Sequence, residues 1–117
     1  MELLRASRVV ALPSRNEGMP MILTEALAAG RPFVSTPVAG IPELAHGRQP
    51  LVAVGDHVAL ADRLTEILAD PSLVRALGDD GRAFHAATRS VEAVGALLRE
   101  VYADALAHRA RAISRSA

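Results

Sequence analysis

Three short apolar runs, each shut off by a proline or glycine and separated by helix-forming stretches, restrict this chain's fold more than any other feature. Val9-Val10-Ala11-Leu12 closes at Pro13, Phe33-Val34-Ser35-Thr36 at Pro37, and Leu51-Val52-Ala53-Val54 at Gly55. The first and third are continuous rather than alternating, the pattern of strands buried on both faces in a parallel sheet. Between the first two, Pro13 to Gly18 is turn chemistry, Pro20 suits a first helical turn, and Met21 to Ala29 reads as a helix that stops at Gly30. Strand, loop, helix and strand in that order predict an α/β unit.

Beyond the third run, Asp56 can cap a helix whose Leu60, Leu64, Ile67 and Leu68 fall on one stripe. Pro42 to Ala45 offers at most one helical turn before His46. Asp70-Pro71 breaks the chain and starts another helix through Leu73, Leu77 and Phe84, which Gly78 and Gly81 weaken. Ser90 caps a last helix with Val91, Val94, Leu97, Leu98, Val101 and Ala105 at helical spacing. From His108 onward the chain carries Arg109, Arg111 and Arg115 with little apolar content, so we expect a frayed or disordered tail. The fold class is therefore α/β, a partial Rossmann-like parallel sheet with flanking helices followed by C-terminal helices. Three strands are few for such a sheet, and its edges would be open. We expect the chain to begin in the middle of a domain.

Composition narrows the function classes. Thirteen acidic and thirteen basic residues cancel, and only 3% of the chain is aromatic, so neither a basic field nor a stacking platform for nucleic acid is expected. With half its 117 residues apolar the chain can form one core. Cysteine is absent, which removes disulfides and thiolate metal sites. No run reaches the ~20 apolar residues of a membrane span, and Met1 to Pro13 lacks a signal-peptide pattern. The expected location is cytoplasmic. His46, His57, His85 and His108 show no metal-ligand spacing and are assigned to the surface.

The stretch Glu17-Gly18-Met19-Pro20-Met21-Ile22-Leu23-Thr24-Glu25 is where chemistry is expected. Ligands of open α/β sheets gather beyond the carboxyl ends of the strands, where a following helix points its N–H groups and positive dipole end. Gly18 presents no Cβ to an approaching ligand. Glu17 can accept hydrogen bonds from sugar hydroxyls, or it is a solvated loop charge. Glu25, among apolar helix neighbours, can hold the vicinal hydroxyls of a ribose, or it lies on a helix surface. Met19 and Met21 read as packing residues, Glu43 as a first-turn cap, and Ser14 has no His and Asp partners for nucleophilic work.

The ordered series Leu12-Pro13-Ser14, Glu17-Gly18-Met19-Pro20, Glu25 through Pro32, Val38 through Leu44, Gly55-Asp56, Leu60-Ala61, Ile67-Leu68 and Asp70-Pro71 resembles the E-x7-E signature region of retaining glycosyltransferases of the GT-B fold, family 4 type. The resemblance covers about residues 5 to 106. It implies a donor site for a nucleotide-diphosphate sugar, with Glu17 as the catalytic-site carboxylate on the donor-sugar hydroxyls and Glu25 on the ribose. The backbone N–H groups of Gly18, Met19, Met21 and Ile22 would face the sugar and diphosphate. It further implies transfer with retention, and no cofactor or required metal. The acceptor, whether glycan, lipid or small molecule, stays open, as do nucleotide base and sugar.

Such enzymes have two Rossmann-like domains, and the chain resembles only the later part of the second. Residues 1–108 are then expected to form a partial donor-binding domain and 109–117 a basic tail. The segment bearing the Arg and Lys that stabilise the departing diphosphate, and the acceptor domain through which any peripheral membrane association would arise, lie outside the resemblance. Arg8, Arg15 and Arg31 do not fall where that pair would lie. We therefore expect little catalysis from the chain alone. Two alternatives are a non-catalytic sugar-nucleotide-binding module or subunit completing a partner chain, and a GT-B relative such as an epimerase.

Overall fold

The computed structural model describes residues 2–116. A short helix α1 (Glu2–Ala6) leads into strand β1 (Val10–Leu12), helix α2 (Met21–Ala28), strand β2 (Phe33–Ser35) and helix α3 (Ile41–Ala45). Three longer helices follow: α4 (His57–Ala69), α5 (Pro71–Thr88) and α6 (Val91–Ser116). β1 and β2 pair in parallel, with Val10 opposite Phe33 and Leu12 opposite Ser35. The expected third strand reduces to one parallel bridge, Ser35 to Leu51, flanked by Ser35 N–H to the Pro50 carbonyl and Val52 N–H to the Ser35 carbonyl. After Val52 the chain turns outward, and Ala53 and Val54 are exposed. The apolar run was long enough for a strand, but its second half pairs with no strand among the described residues.

β2 is the buried centre. Phe33 faces one cluster with Leu23, Leu27, Ile41, Leu44 and Ala45, while Val34 faces another with Val52 and Ile67. That is the two-sided cover a parallel strand needs. β1 departs from the expectation of full burial, because Ala11 is exposed and Val10 and Leu12 are half-buried. It lies at the edge of the sheet, and its outer side pairs with no other strand among the described residues. α5 reaches both clusters, with Leu73, Val74 and Leu77 on the Val34 side and Phe84 on the Phe33 side. Gln49, 4% exposed, accepts from Phe33 N–H at 3.1 Å and donates to the Leu77 carbonyl at 3.0 Å, which joins the start of β2 to α5.

Gly78 and Gly81 lie within an unbroken α5. They are where it meets α2: a Cβ on Gly78 would come 2.3 Å from the Gly30 carbonyl oxygen, and one on Gly81 would come 2.7 Å from Leu27 Cδ2. Gly30 ends α2 as expected, in the left-handed region at φ 65°. In α4, Ile67 is buried and Leu60 and Leu64 are half-buried, but Leu68 is exposed. The apolar residues of α6 do not form a buried stripe; Val91 and Leu97 are 85% and 60% exposed. The same helix continues through Ser116 in place of the expected disordered tail, since alanine and arginine favour helix even without packing. Met1 and Ala117, at the limits of the expected domain and tail, lie outside the described residues.

The predicted caps form. Asp56 accepts from Ala59 N–H at 2.9 Å and Ser90 Oγ from Ala93 N–H at 3.1 Å. Asp70 Oδ1 accepts from the Ser72 hydroxyl, Ser72 N–H and Leu73 N–H. The Ser72 hydroxyl first, then the two N–H groups, hold the Asp70 carboxyl below its ordinary 3.8. A carboxyl depressed in the folded state stabilises it above the unfolded value and ceases to do so as pH falls through the folded one. The first turn of α5 is therefore expected to open in acid below about 3.8. Protection of the Ser72 and Leu73 amides, taken against their intrinsic exchange rates, should fall there, and Asp70→Asn should remove the pH dependence.

Candidate functional site

The loop between β1 and α2 leaves the carboxyl end of β1, and α2 begins directly beyond it. Pro20 sits one step earlier than the first helical turn, as a buried N-cap with extended backbone, φ −70° and ψ 114°. It provides no side-chain cap, and its own carbonyl accepts from Leu23 N–H at 3.2 Å. The first N–H groups of a helix have no intrahelical acceptor, so those of Met21 and Ile22 are available at this end. Both side chains are exposed, Met21 at 66%. Met21 is therefore not the packing residue expected, whereas Met19 packs. Met19 lies across Gly40, where an added Cβ would come 2.6 Å from Met19 Cε.

The structure places Glu17 half-buried, with Oε1 accepting from the Ser14 hydroxyl at 2.6 Å. That bond accounts for Ser14, which has no nucleophile's partners. Gly18 is exposed, and a Cβ there would meet open space. Glu25 is half-buried and helps line an open hollow of about 380 Å³ with Leu3, Leu4, Ser7, Val9, Val10 and Ile22. No side-chain hydrogen bond or ion pair reaches Glu25 among the described residues. Glu17, Gly18 and Met19 thus lie in the loop beyond β1 and Met21 and Ile22 in the first turn of α2, while Glu25 lies a turn further along α2, beside α1 and the start of β1.

Residues that the sequence did not mark hold this loop in place. Thr36 Oγ1 donates to the Ser14 carbonyl at 2.5 Å, Ser35 Oγ to the Leu12 carbonyl at 2.7 Å, and Gly40 N–H to the Gly18 carbonyl at 3.3 Å. All three lie at or just beyond the carboxyl end of β2, so the two strand-end loops are bonded to each other. Their signal in sequence was weak: small polar residues closing an apolar run and a Gly in a Pro-rich loop are common turn features.

Glu43 does not act as a simple first-turn cap. Its Oε1 accepts from Arg89 Nη2 at 2.6 Å, tying α3 to the end of α5. His46 is not a free surface side chain: it stacks on Phe84 with ring centroids 4.2 Å apart, and Nε2 lies 3.3 Å from Asp80 Oδ2. Arg8 donates to the Leu68 carbonyl at 3.1 Å, which anchors the chain ahead of β1 to the end of α4. Arg15 is exposed and lines a separate hollow with Val52, Asp56 and His57. No helix among the described residues is long and apolar enough to cross a membrane.

Known proteins resemble this chain in sequence and in fold. The chain is 37% identical over 106 residues to D-inositol 3-phosphate glycosyltransferase of Corynebacterium glutamicum (strain R), covering 89% of this chain and 25% of that protein. It is 40% identical over 83 residues to N-acetyl-alpha-D-glucosaminyl L-malate synthase of Bacillus anthracis, covering 69% and 22%. The structure of sucrose-phosphate synthase from Thermosynechococcus elongatus superposes with a TM-score of 0.80 at 30% identity, covering 91% of this chain and 27% of that one. The chain therefore spans about a quarter of the length of these relatives. The profile of the family described as glycosyl transferases group 1 matches residues 1–70. With more than half of its 117 residues matched in this way, the chain belongs to the glycosyl transferases group 1.

Proposed function

We propose that this chain is the donor-binding part of a glycosyltransferase that moves a sugar from a nucleotide-diphosphate sugar to an acceptor with retention of configuration. The observation that carries the reading is Glu25, a half-buried residue of α2 whose carboxylate meets no side-chain donor among the described residues, on an open apolar hollow that it and Ile22 line with α1 and the start of β1. A ribose offers two hydroxyl donors of the right kind, and bonds to a carboxylate are stronger than neutral ones. Glu17 accepts from hydroxyls of the donor sugar through Oε2, while Oε1 stays with Ser14. The N–H groups of Met21 and Ile22 and the positive end of α2 meet the diphosphate, which Pro20 cannot do. The chain's own contribution is positioning and charge stabilisation.

In this reading the chain alone transfers little or no sugar. Arg8 is engaged with α4 and is not placed to neutralise a departing diphosphate. The relatives differ in the acceptors their names imply, so no acceptor is carried over. A second reading, a non-catalytic binding subunit completed by a partner chain, is favoured by the unpaired outer side of β1 and the exposed apolar residues of α6. Titrating the labelled chain with UDP, GDP and ADP tests the binding common to both. Amide shifts confined to residues 17–25 and the Glu25 hollow are expected for one nucleotide; no shifts there with any of the three would overturn it. Transfer that appears only on mixing with a second polypeptide would select the subunit reading.

A further inference from the structure

The side chain of Glu17 is held through a relay that begins inside the protein. Thr36, 1% exposed at the end of β2, donates from Oγ1 to the Ser14 carbonyl at 2.5 Å, and the Ser14 hydroxyl donates to Glu17 Oε1 at 2.6 Å. The loop is also pinned on either side of this relay, at the Leu12 carbonyl by Ser35 Oγ and at the Gly18 carbonyl by Gly40 N–H. A glutamate on a loop samples several rotamers and loses that freedom when a ligand binds. A hydroxyl that occupies one carboxylate oxygen selects one rotamer in advance and leaves the other oxygen for a second donor. Glu17 accepts from no other side chain among the described residues, so Ser14 is what sets its direction.

We infer that Ser14 and Thr36 are positioning residues for recognition of the donor sugar, Thr36 by fixing the backbone of Ser14 and Ser14 by aiming Glu17. The inference rests on the assignment of Glu17 to the sugar. Neither hydroxyl touches a reacting atom. The alternative is that both bonds merely stiffen the turn, in which case every part of a donor would feel their loss equally.

The discriminating quantity is the sugar increment: the affinity of the 117-residue chain for a nucleotide-diphosphate sugar relative to the same nucleotide diphosphate. UDP and UDP-glucose, GDP and GDP-mannose, and ADP and ADP-glucose are the probes. Ser14→Ala is expected to cut the increment about tenfold, the scale of one charge-assisted hydrogen bond, with affinity for the bare nucleotide unchanged. Ser14→Thr should restore it, and Thr36→Val should act in the same direction as Ser14→Ala, with Thr36→Ser as its rescue. An unchanged increment, or equal loss for nucleotide and nucleotide sugar, would overturn the positioning role.

A wild-type chain that binds nucleotide but shows no sugar increment would instead overturn the sugar assignment of Glu17. The relay itself is then read without ligand, from carbon relaxation of the Glu17 side chain. Ser14→Ala should raise its mobility. Unchanged mobility would show that Ser14 does not hold it.

Discussion

Gly78→Ala is expected to destabilise the chain by about 3 kcal/mol or more, near the upper range for forcing extra volume into a packed contact. The new Cβ would sit 2.3 Å from the Gly30 carbonyl oxygen and 3.1 Å from the carbon. Neither atom can swing aside, because both belong to the backbone that ends α2 in its left-handed turn. α5 would have to move away from α2, and with it Leu77, Phe84 and the Gln49 bond that link both sides of β2. Gly81→Ala should cost less, since its 2.7 Å conflict is with Leu27 Cδ2, the end of a side chain that can shift. Gly95→Ala is the opposite case. Its Cβ would meet nothing closer than Arg99 Nη1 at 3.7 Å, so alanine's better helix propensity should stabilise α6 by roughly 0.5–1 kcal/mol. At roughly 4 °C per kcal/mol, thermal unfolding would separate the three variants clearly. Similar midpoints for Gly78→Ala and Gly95→Ala would refute the close approach of α5 to α2.

Glu25→Ala is expected to weaken nucleotide binding by roughly 10- to 100-fold, as loss of charge-assisted bonds to a ribose would. The same substitution should leave the unfolding midpoint unchanged or raise it. Among the described residues no side chain bonds to the Glu25 carboxylate, which lines the hollow beside Leu3, Val10 and Ile22. Opposite responses of affinity and stability are the mark of a residue kept for a ligand. Glu25→Gln, which keeps shape but not charge, should fall between. Isothermal titration with the nucleotide that binds, paired with a melting curve, checks both halves; unchanged affinity in Glu25→Ala would end the ribose assignment.

Much of the scaffold of the site could be read from residues. Gly30 closing α2 and the caps at Asp56, Asp70 and Ser90 are local chemistry, and each forms where its residue type predicts. The places of Glu17 in the loop and Glu25 in α2 followed from the same punctuation. Features that depend on distant neighbours were misread. Leu51 to Val54 has the composition of a strand but one bridging partner among the described residues, and the apolar residues of α6 stay exposed. His46 looked like a surface histidine because Phe84 and Asp80 are far away in sequence.

By itself the sequence determined where helices start and stop and which carboxylates flank the start of α2, because caps, proline and glycine act within a few residues of chain. The tertiary structure decided what those residues face. It turned two helix-weakening glycines into the contact between α2 and α5, and gave the Glu25 carboxylate no side-chain donor among the described residues. It also joined Thr36, Ser14 and Glu17 into one relay, since only the parallel register of β1 and β2 brings the two strand-end loops within hydrogen-bonding distance.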